Sequence, residues 1–561
     1  MDMEDNNRPW LAKYPDGVPA NINVDEYPSL LALLESCTAK YKSKPAFSCM
    51  GKTITFKELR DKAMRMAAYL QSRGLEPGDR IALMMPNTLQ YPISLYGSLL
   101  AGLVVVNTNP LYTPREMKYQ FADSGAKAVI IAEMFAANLE KIIDETDIRV
   151  VIKTSIGELL GPLKGTLVNF AVRHIKRMVP KHNIPNSVSF KHALSEGKKF
   201  KVKPTEESPD RTILLQYTGG TTGVSKGTML TNRNLVANAL QIRSLMVPYL
   251  KEGEEVAICP LPLYHIFAFT VNCVAMMTFG AHSVLVVNAR DIPALTKEFK
   301  KYPVSLATGV NTLFNALLNN EKFRKLNFEH LKVVVGGGTA VQRAVAEEWQ
   351  KVTGCYLNEG YGLTESSPLA SVNPLDGSGK LGSIGIPAPS TQMRIVDEDG
   401  KPVPVGEIGE IQIKGPQIMK GYYNRPDETE KSLVDGWLNT GDIGQMDKDG
   451  YFKIVDRKKD MINVSGFNVF PNEIEDVIAA HPKVLEVAAV GVPHEKSGEC
   501  VKVFVVKKDK SLTEKEVINY SRENLTGYKV PKKVEFRDDL PKTNVGKILR
   551  RELREEEQEK G

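Results

Sequence analysis

Over its first two thirds the chain alternates short β-branched runs with stretches of helical period, the pattern written by parallel strands that are covered by helices. Strands are expected over 80–85, 103–106, 128–132, 149–153, 213–216, 304–308 and 332–335. Thr55 with Glu58, and Thr113 with Pro114 and Glu116, read as capping boxes, and Gly74 and Gly125 stand where the helices they open should stop. The fold class is α/β: a large N-terminal domain of parallel or mixed sheets flanked by helices, over 1–456. After about Gly385 the texture changes to alternating strands punctuated by turns at 397–400, 406–409 and 447–450, which predicts a β-rich subdomain over 385–456. The charged run DRKKD at 456–460 marks a boundary at 457–459. Beyond it, 460–561 has its own helix–strand alternation, a small α+β C-terminal domain with a helix over 471–480 and strands over 484–490 and 501–506. The closing REEEQEKG reads as a solvated helix end or frayed tail and is assigned no function.

Composition narrows the partners. With 561 residues, 42% hydrophobic and 25% charged, the chain can bury several large cores. A net charge of +6 suits anionic small ligands or an acidic lipid surface and falls short of a nucleic-acid footprint, so no nucleic-acid partner is expected. The six cysteines are scattered without C-x-x-C spacing or a histidine cluster, which indicates neither a zinc site nor a disulfide framework and fits a reducing cytoplasm. The N-terminus, MDMEDNNRPW, has no apolar core, so no secretory signal is expected. Two uncharged stretches, 81–114 and 256–288, reach the length of a membrane span, but Pro86 and Pro92 break the first and Pro260, Pro262, His265, Asn272 and Gly280 punctuate the second. Both read as buried strand, turn and helix.

The segment YTGGTTGVSKGT at 217–228 carries the clearest chemical signal. Gly219, Gly220, Gly223 and Gly227 let the backbone take positive φ and approach an anion; Thr218, Thr221, Thr222 and Ser225 donate hydrogen bonds; Lys226 adds a point charge. Tyr217, Val224 and Thr228 complete a loop suited to nucleotide phosphates, which points to chemistry driven by ATP. Its order departs from G-x-x-x-x-G-K-[ST], because Lys226 follows Ser225 and precedes Gly227, so an ordinary P-loop NTPase is disfavoured. Taken alone, the segment could equally be a flexible turn between strand and helix.

Downstream lie YGLTE at 361–365, TGD at 440–442, DRKKD at 456–460 and PKTNVGKI at 541–548. Together with the loop, and in this order, they closely resemble the adenylate-forming (AMP-binding) enzymes. PLPLYHIFA at 260–268, GVNTLFNALL at 309–318, VSGFNVFPNEIEDV at 464–477 and the long segment 525–553 resemble, within that superfamily, the bacterial long-chain fatty-acid–CoA ligases, or acyl-CoA synthetases. The resemblance runs from about Trp10 to near the C-terminus. It implies that ATP and a fatty-acid carboxylate give an acyl-AMP and pyrophosphate, and that the acyl group then passes to coenzyme A with release of AMP, with Mg²⁺ as the metal. No G-x-S-x-G elbow or Cys/His nucleophile is evident, and none is needed, because the mixed anhydride is itself the activated intermediate.

Residue by residue, the resemblance implies that the glycine loop and Lys226 hold the triphosphate, that Glu365 is the Mg²⁺ ligand and that Thr364 contacts the α-phosphate. It implies that Tyr361 stacks on adenine, that Gly337, Gly338 and Thr339 line the base, and that Asp442 and Arg457 bond the ribose. Lys547 matches the mobile catalytic lysine and Lys459 the hinge about which the C-terminal domain swings. The pantetheine channel is then expected to open beside Ser465, Gly466 and Phe467. His265 should stand near the acyl carboxylate, a core histidine satisfied by backbone being nearly as good a reading. Gly309, Val310, Asn311 and Thr312 should line the acyl tunnel, with Leu313, Phe314, Leu317 and Leu318 on the helix that follows, which core packing would explain equally. One departure is visible: where related ligases have G-G-G-M-P, this chain has GGGTA at 336–340, which puts the local pocket shape in doubt.

Between 165 and 181, Val168, Ala171, Val172, Ile175, Met178 and Val179 fall on one helical face, with Arg173, His174, Lys176, Arg177 and Lys181 on the other sides. This predicts a basic amphipathic helix docking on anionic lipid at the inner face of the cell membrane, or else a surface helix packed on the core. A ligase for medium-chain or aromatic acids, and a nucleotide-binding fatty-acid uptake protein without turnover, remain as alternatives at this stage. A homodimer is compatible with the sequence.

Overall fold

Two helices begin where the sequence marks them. Thr55 accepts from Glu58 N while the Glu58 carboxylate accepts from Thr55 N at 2.8 Å, opening Phe56–Ser72, and Thr113 and Glu116 repeat the arrangement for Pro114–Ser124. The second helix stops on Gly125 at φ +59°, a left-handed cap that a side chain would strain. The computed structural model describes residues 8–218, 225–457, 459–465, 467–494, 497–543 and 546–560.

Two large sheets form the body. One has nine strands in the order Ile386–Pro387, Leu369–Val372, Leu357–Gly362, Val333–Gly336, Leu306–Gly309, Val256–Cys259, His282–Leu285, Pro45–Cys49 and Lys52–Thr55. Its centre, from Leu357–Gly362 through Pro45–Cys49, is parallel, and antiparallel strands close each edge. The other has eight: Gly421–Tyr422, Lys226–Thr231, Thr212–Thr218, Val104–Asn107, Arg80–Met84, Ala126–Ala132, Val150–Thr154 and Val188–Ser189, parallel from Thr212–Thr218 onward. Each strand expected before residue 385 is present within two residues of its expected ends, and the two expected over 484–490 and 501–506 run longer, as Val484–His494 and Gly498–Lys507.

The uncharged stretch 81–114 contains the helix Gln90–Leu100, buried along its whole length, which packs on Phe56–Ser72. Its all-round apolar surface reflects a core position. Among the described residues no helix is long and apolar enough to cross a membrane. The six cysteines are all buried and unbonded.

A five-stranded antiparallel sheet follows, built from Gln392–Val396, Ile408–Lys414, Leu433–Val434, Trp437–Met446 and Phe452–Arg457. Its Met393, Ile395, Ile411, Ile413 and Phe452 join the main apolar core. The sheet that begins at Ile462–Val464 instead encloses its own core around Ile474, Val487, Val503 and Val505, under the helices Pro471–Ala479 and Glu514–Asn524. A separate core is the physical signature of a separate unit. In the last helix, Arg550–Lys560, Leu553 is fully buried, Glu556 and Glu557 pair with Arg537 and Lys502, and Glu555, Gln558, Glu559 and Lys560 are exposed.

The amphipathic helix differs from expectation. An α-helix spans Pro162–Phe170 and passes into a π-helical turn, Ala171–Ile175, after which Arg177 sits at φ +51°. A wider turn breaks the 3.6-residue period on which the expected face rested. Val168, Ala171, Val172 and Val179 are half-buried, while Ile175 and Met178, assigned to the same face, are exposed. A second apolar stripe, Leu163, Leu167 and Phe170, is exposed at 83%, 70% and 56%.

Candidate active site

The glycine segment enters as the strand Thr212–Thr218 and leaves as Lys226–Thr231, paired antiparallel with Tyr217 opposite Gly227 and Thr218 opposite Lys226. The strand continues through Thr218, so Tyr217 and Thr218 sit on a β-ladder. Gly219, Gly220, Thr221, Thr222, Gly223 and Val224 lie outside the described residues. A Cβ at Gly227 would lie 3.1 Å from the Tyr217 ring, closer than ordinary contact. The Tyr217 hydroxyl donates to Asp123 at 2.7 Å, and Ser225 donates to Thr218 O at 2.6 Å across the hairpin. The hydroxyl oxygen of Thr228 is buried without a hydrogen-bond partner among the described residues. Lys226 pairs with Glu428 and lies 5.2 Å from the Tyr422 ring centre.

The parallel strands of the nine-stranded sheet end together, Gly309 opposite Gly336 and Gly336 opposite Glu359, so their C-terminal ends present 309–312, 336–339 and 359–365 to one crevice. Tyr361 is nearly buried and donates its hydroxyl to Asp442 at 2.7 Å; Arg457, directly opposite Asp442 in the antiparallel sheet, places Nε 3.4 Å from the other carboxylate oxygen. Thr364 and Glu365 open a 3-10 turn. Burial pushes the Glu365 carboxyl above its ordinary range, and a 2.8 Å hydrogen bond from the Tyr422 hydroxyl to Oε1 opposes that shift.

Lys547 reaches this crevice from the C-terminal unit. Its chain passes over Gly338, where an added Cβ would lie 2.9 Å from Lys547 Cε and where φ is +79°. Desolvation and the Arg457 guanidinium push the ammonium down to about 8, against the attraction of Asp442 and Glu365. His265 caps the helix Ile266–Thr270 and accepts from Phe267 N at 3.4 Å; burial, helped by Lys547, lowers its pKa to about 3, so the ring is neutral. Gly337 is hemmed in by the Phe267 ring and Gly360 O, and Thr339 is half-buried beside it.

The four residues expected to line an acyl tunnel sit where the strand Leu306–Gly309 ends and the helix Asn311–Leu318 begins. Val310 lies beside Gly338 and Gly546, Asn311 accepts from Gln342 N at 3.0 Å, Thr312 donates to Gly546 O at 2.9 Å, and a side chain at Gly309 would meet Phe314. An apolar cavity opens next to them, at Thr308, walled by Ile242, Leu245, Met246, Phe267, Val335 and Leu369.

Contacts from Thr312 to Gly546, from Asn315 to Leu485 O and from Arg343 N to Asp476 seat the C-terminal unit on the crevice. At the connection, Asp456 is fully buried and accepts from Arg457 N, Asn472 N and Arg550, while Asp460 pairs with Arg554; Lys459 between them is exposed. Ser465 and Phe467 lie on an exposed turn and strand of the C-terminal sheet, Phe467 stacked on Tyr528 with ring centres 4.8 Å apart; Gly466 lies outside the described residues.

Sequence reading missed Tyr422 and Glu428, which meet Glu365 and Lys226 across distances in sequence that no local motif spans. It also missed Glu359, two residues before Tyr361 on the same strand face, whose pKa burial raises to about 8. Among the described residues no cluster of three or more His, Cys, Asp or Glu side chains could hold a metal ion. Glu365 alone fits an ion carried in on phosphates, because it is one carboxylate with Oε1 occupied by Tyr422 and the rest of the coordination shell would come from phosphate and water.

Comparison with known proteins matches residues 34–423 to the AMP-binding enzyme family and 473–547 to the AMP-binding enzyme C-terminal domain. The chain is 56% identical over 548 residues to the long-chain-fatty-acid–CoA ligase of Escherichia coli O6:H1, covering 98% of each. The anthranilate CoA ligase AuaEII in complex with anthranoyl-AMP shares its fold, with a TM-score of 0.85 at 23% identity over 96% of this chain and 99% of that one. ATP-bound MatB from Rhodopseudomonas palustris has a TM-score of 0.81 at 29% identity, over 94% of this chain and 98% of that one.

Proposed function

The chain belongs to the AMP-binding enzyme family, and from that premise we propose that it is a long-chain fatty-acid–CoA ligase. ATP and a fatty-acid carboxylate give acyl-AMP and pyrophosphate; coenzyme A thiol then attacks the acyl carbon, forming the thioester and releasing AMP. The observation that carries this reading is Lys547, laid over Gly338 among Glu365, Asp442 and Arg457. A buried ammonium there stabilises the negative charge that develops as the carboxylate attacks the α-phosphate.

In this assignment Tyr361 and Gly337–Thr339 hold adenine, Asp442 and Arg457 hold the ribose, and Lys226 with the glycine loop holds the outer phosphates. Glu365 would hold Mg²⁺, which would supply charge neutralisation at the leaving pyrophosphate. His265, neutral, orients the carboxylate beside Phe267, and the acyl chain runs into the apolar cavity beyond Thr308. The contacts at Thr312, Asn315 and Arg343 belong to the adenylating pose. Rotation about 457–459 withdraws Lys547 and brings Ser465–Phe467 toward the thiol's path.

The enzyme also docks on anionic membrane from the cytoplasmic side. The apolar stripe of Leu163, Leu167 and Phe170 is exposed, and between Glu158 and Glu196 there is no acidic residue, whereas Lys164, Lys176, Arg177, Lys181 and Lys191 lie there, with Arg173 paired to Glu133. A fatty acid dissolved in a bilayer is thereby met where it partitions.

The test is a chain-length series with ATP, Mg²⁺ and coenzyme A, read as AMP and pyrophosphate. Turnover concentrated on long chains supports the reading. Preference for medium-chain or aromatic acids transfers the chain to that alternative, and ADP as product refutes ligation.

A further inference from the structure

The Lys226 ammonium already has a carboxylate partner that the nucleotide reading does not use. Glu428 pairs with it at a site where the lysine side chain is only 17% exposed and the glutamate 33%. The pair is held from both sides. Glu428 lies in the helix Pro426–Ser432, and the Thr429 hydroxyl of that helix accepts from Tyr422 N at 2.9 Å, fixing the helix to the strand Gly421–Tyr422. That strand pairs directly with Thr228 and Met229, two and three residues beyond Lys226. On the other side Arg425 binds Asp123 at 2.7 Å, and Asp123 also receives the Tyr217 hydroxyl. The Tyr422 ring faces Lys226 while its hydroxyl holds Glu365. Lys431 is the only other charge in contact with Glu428 among the described residues, at 3.5 Å and with its own side chain 73% exposed. A carboxylate so placed is preorganised: it presents oxygen to the ammonium just as a phosphate would, with little side-chain entropy lost in doing so.

We propose that Glu428 is a resident counter-ion that competes with the terminal phosphates for Lys226 and so sets the site's discrimination between triphosphate or pyrophosphate on one hand and monophosphate on the other. This rests on the reading of Lys226 as a triphosphate ligand. ATP must displace Glu428 from the ammonium to bind. AMP has no β- or γ-phosphate and leaves the pair intact. After adenylation Glu428 recaptures Lys226 as pyrophosphate departs, which favours release of the first product and keeps it from reversing the step.

The experiment measures binding of ATP and of AMP by calorimetry, and inhibition by pyrophosphate, for the full chain and for Glu428→Gln, Lys226→Ala and the double variant, all with Mg²⁺. Removing a partly exposed competitor should tighten ATP and pyrophosphate by about fivefold in Glu428→Gln while AMP is unchanged. In the Lys226→Ala background the same change should have no effect. If Lys226→Ala weakens ATP but Glu428→Gln leaves it unchanged or weaker, the competing role is overturned and the triphosphate reading stands. If Lys226→Ala leaves ATP affinity intact, the triphosphate reading falls and takes this proposal with it. An equal shift of ATP and AMP in Glu428→Gln shows a structural role and overturns the proposal, because displacement from Lys226 can act only through the outer phosphates.

Discussion

Lys547 is poised between two protonation states, and that makes its role measurable. Its ammonium, held at about 8 by burial and Arg457, loses its charge as pH rises through that value. Adenylation by the free enzyme should therefore decline above about pH 8, whereas thioester formation from supplied acyl-AMP should not; Lys547→Arg, permanently charged, should remove the alkaline decline. Lys547→Ala should cost about a hundredfold or more in adenylation, roughly 3 kcal/mol, with thioester formation largely kept, as half-reaction assays would read. His265 carries a prediction of its own. With a folded pKa of about 3 against an ordinary 6.5, it takes up a proton in the unfolded chain first, so stability drains away as pH falls from 6.5 toward 3. Urea melts across that range should show a shallower loss for His265→Gln. The family motif placed Lys547 in the site by number, but nothing in the Gly-Lys turn revealed that it would be desolvated, because its neighbours come from three distant segments.

At the scale of elements, local chemistry was the legible part. The capping boxes at Thr55 and Thr113 act within four residues, and the structure forms both. The helix after Gly161 was misread for the same reason that the caps were read well: a uniform 3.6-residue period was carried across Ala171–Ile175, where a π-helical turn rotates everything that follows. The exposed stripe of Leu163, Leu167 and Phe170, on the α-helix before that turn, gives a direct test. Leu163→Asp with Leu167→Asp should abolish sedimentation with anionic vesicles and leave turnover of a soluble short-chain acid intact; unchanged sedimentation would remove the docking role. A second element-scale prediction concerns the connection. Arg550 joins Glu475, Asp456 and Asp460, and Asp456 is fully buried. Arg550→Ala leaves Glu475 and Asp456 without this cation, while Asp460 keeps Arg554, and should destabilise the C-terminal unit by about 3 kcal/mol, seen as an earlier transition in a thermal melt.

In the whole molecule, the sequence carried the two sheets, the β-rich subdomain and the C-terminal unit, because strand and helix periods are written locally. It did not carry the way Thr218 and Lys226 face each other in a hairpin, nor the apolar cavity at Thr308, since both depend on strands brought together from far apart in the chain. The seating of the C-terminal unit is likewise a property of the assembly. It can be trapped: a Cβ at Gly546 would lie 3.0 Å from Thr312 Oγ1, within disulfide reach. Oxidised Thr312→Cys with Gly546→Cys should still adenylate but fail to form thioester until reduced, and the buried native cysteines should not interfere. The most direct measurement of the account is nucleotide product analysis with Mg²⁺, ATP, palmitate and coenzyme A. AMP and pyrophosphate formed one for one with palmitoyl-CoA, and only when palmitate is present, is the expected result; ADP, or no AMP at all, would contradict it.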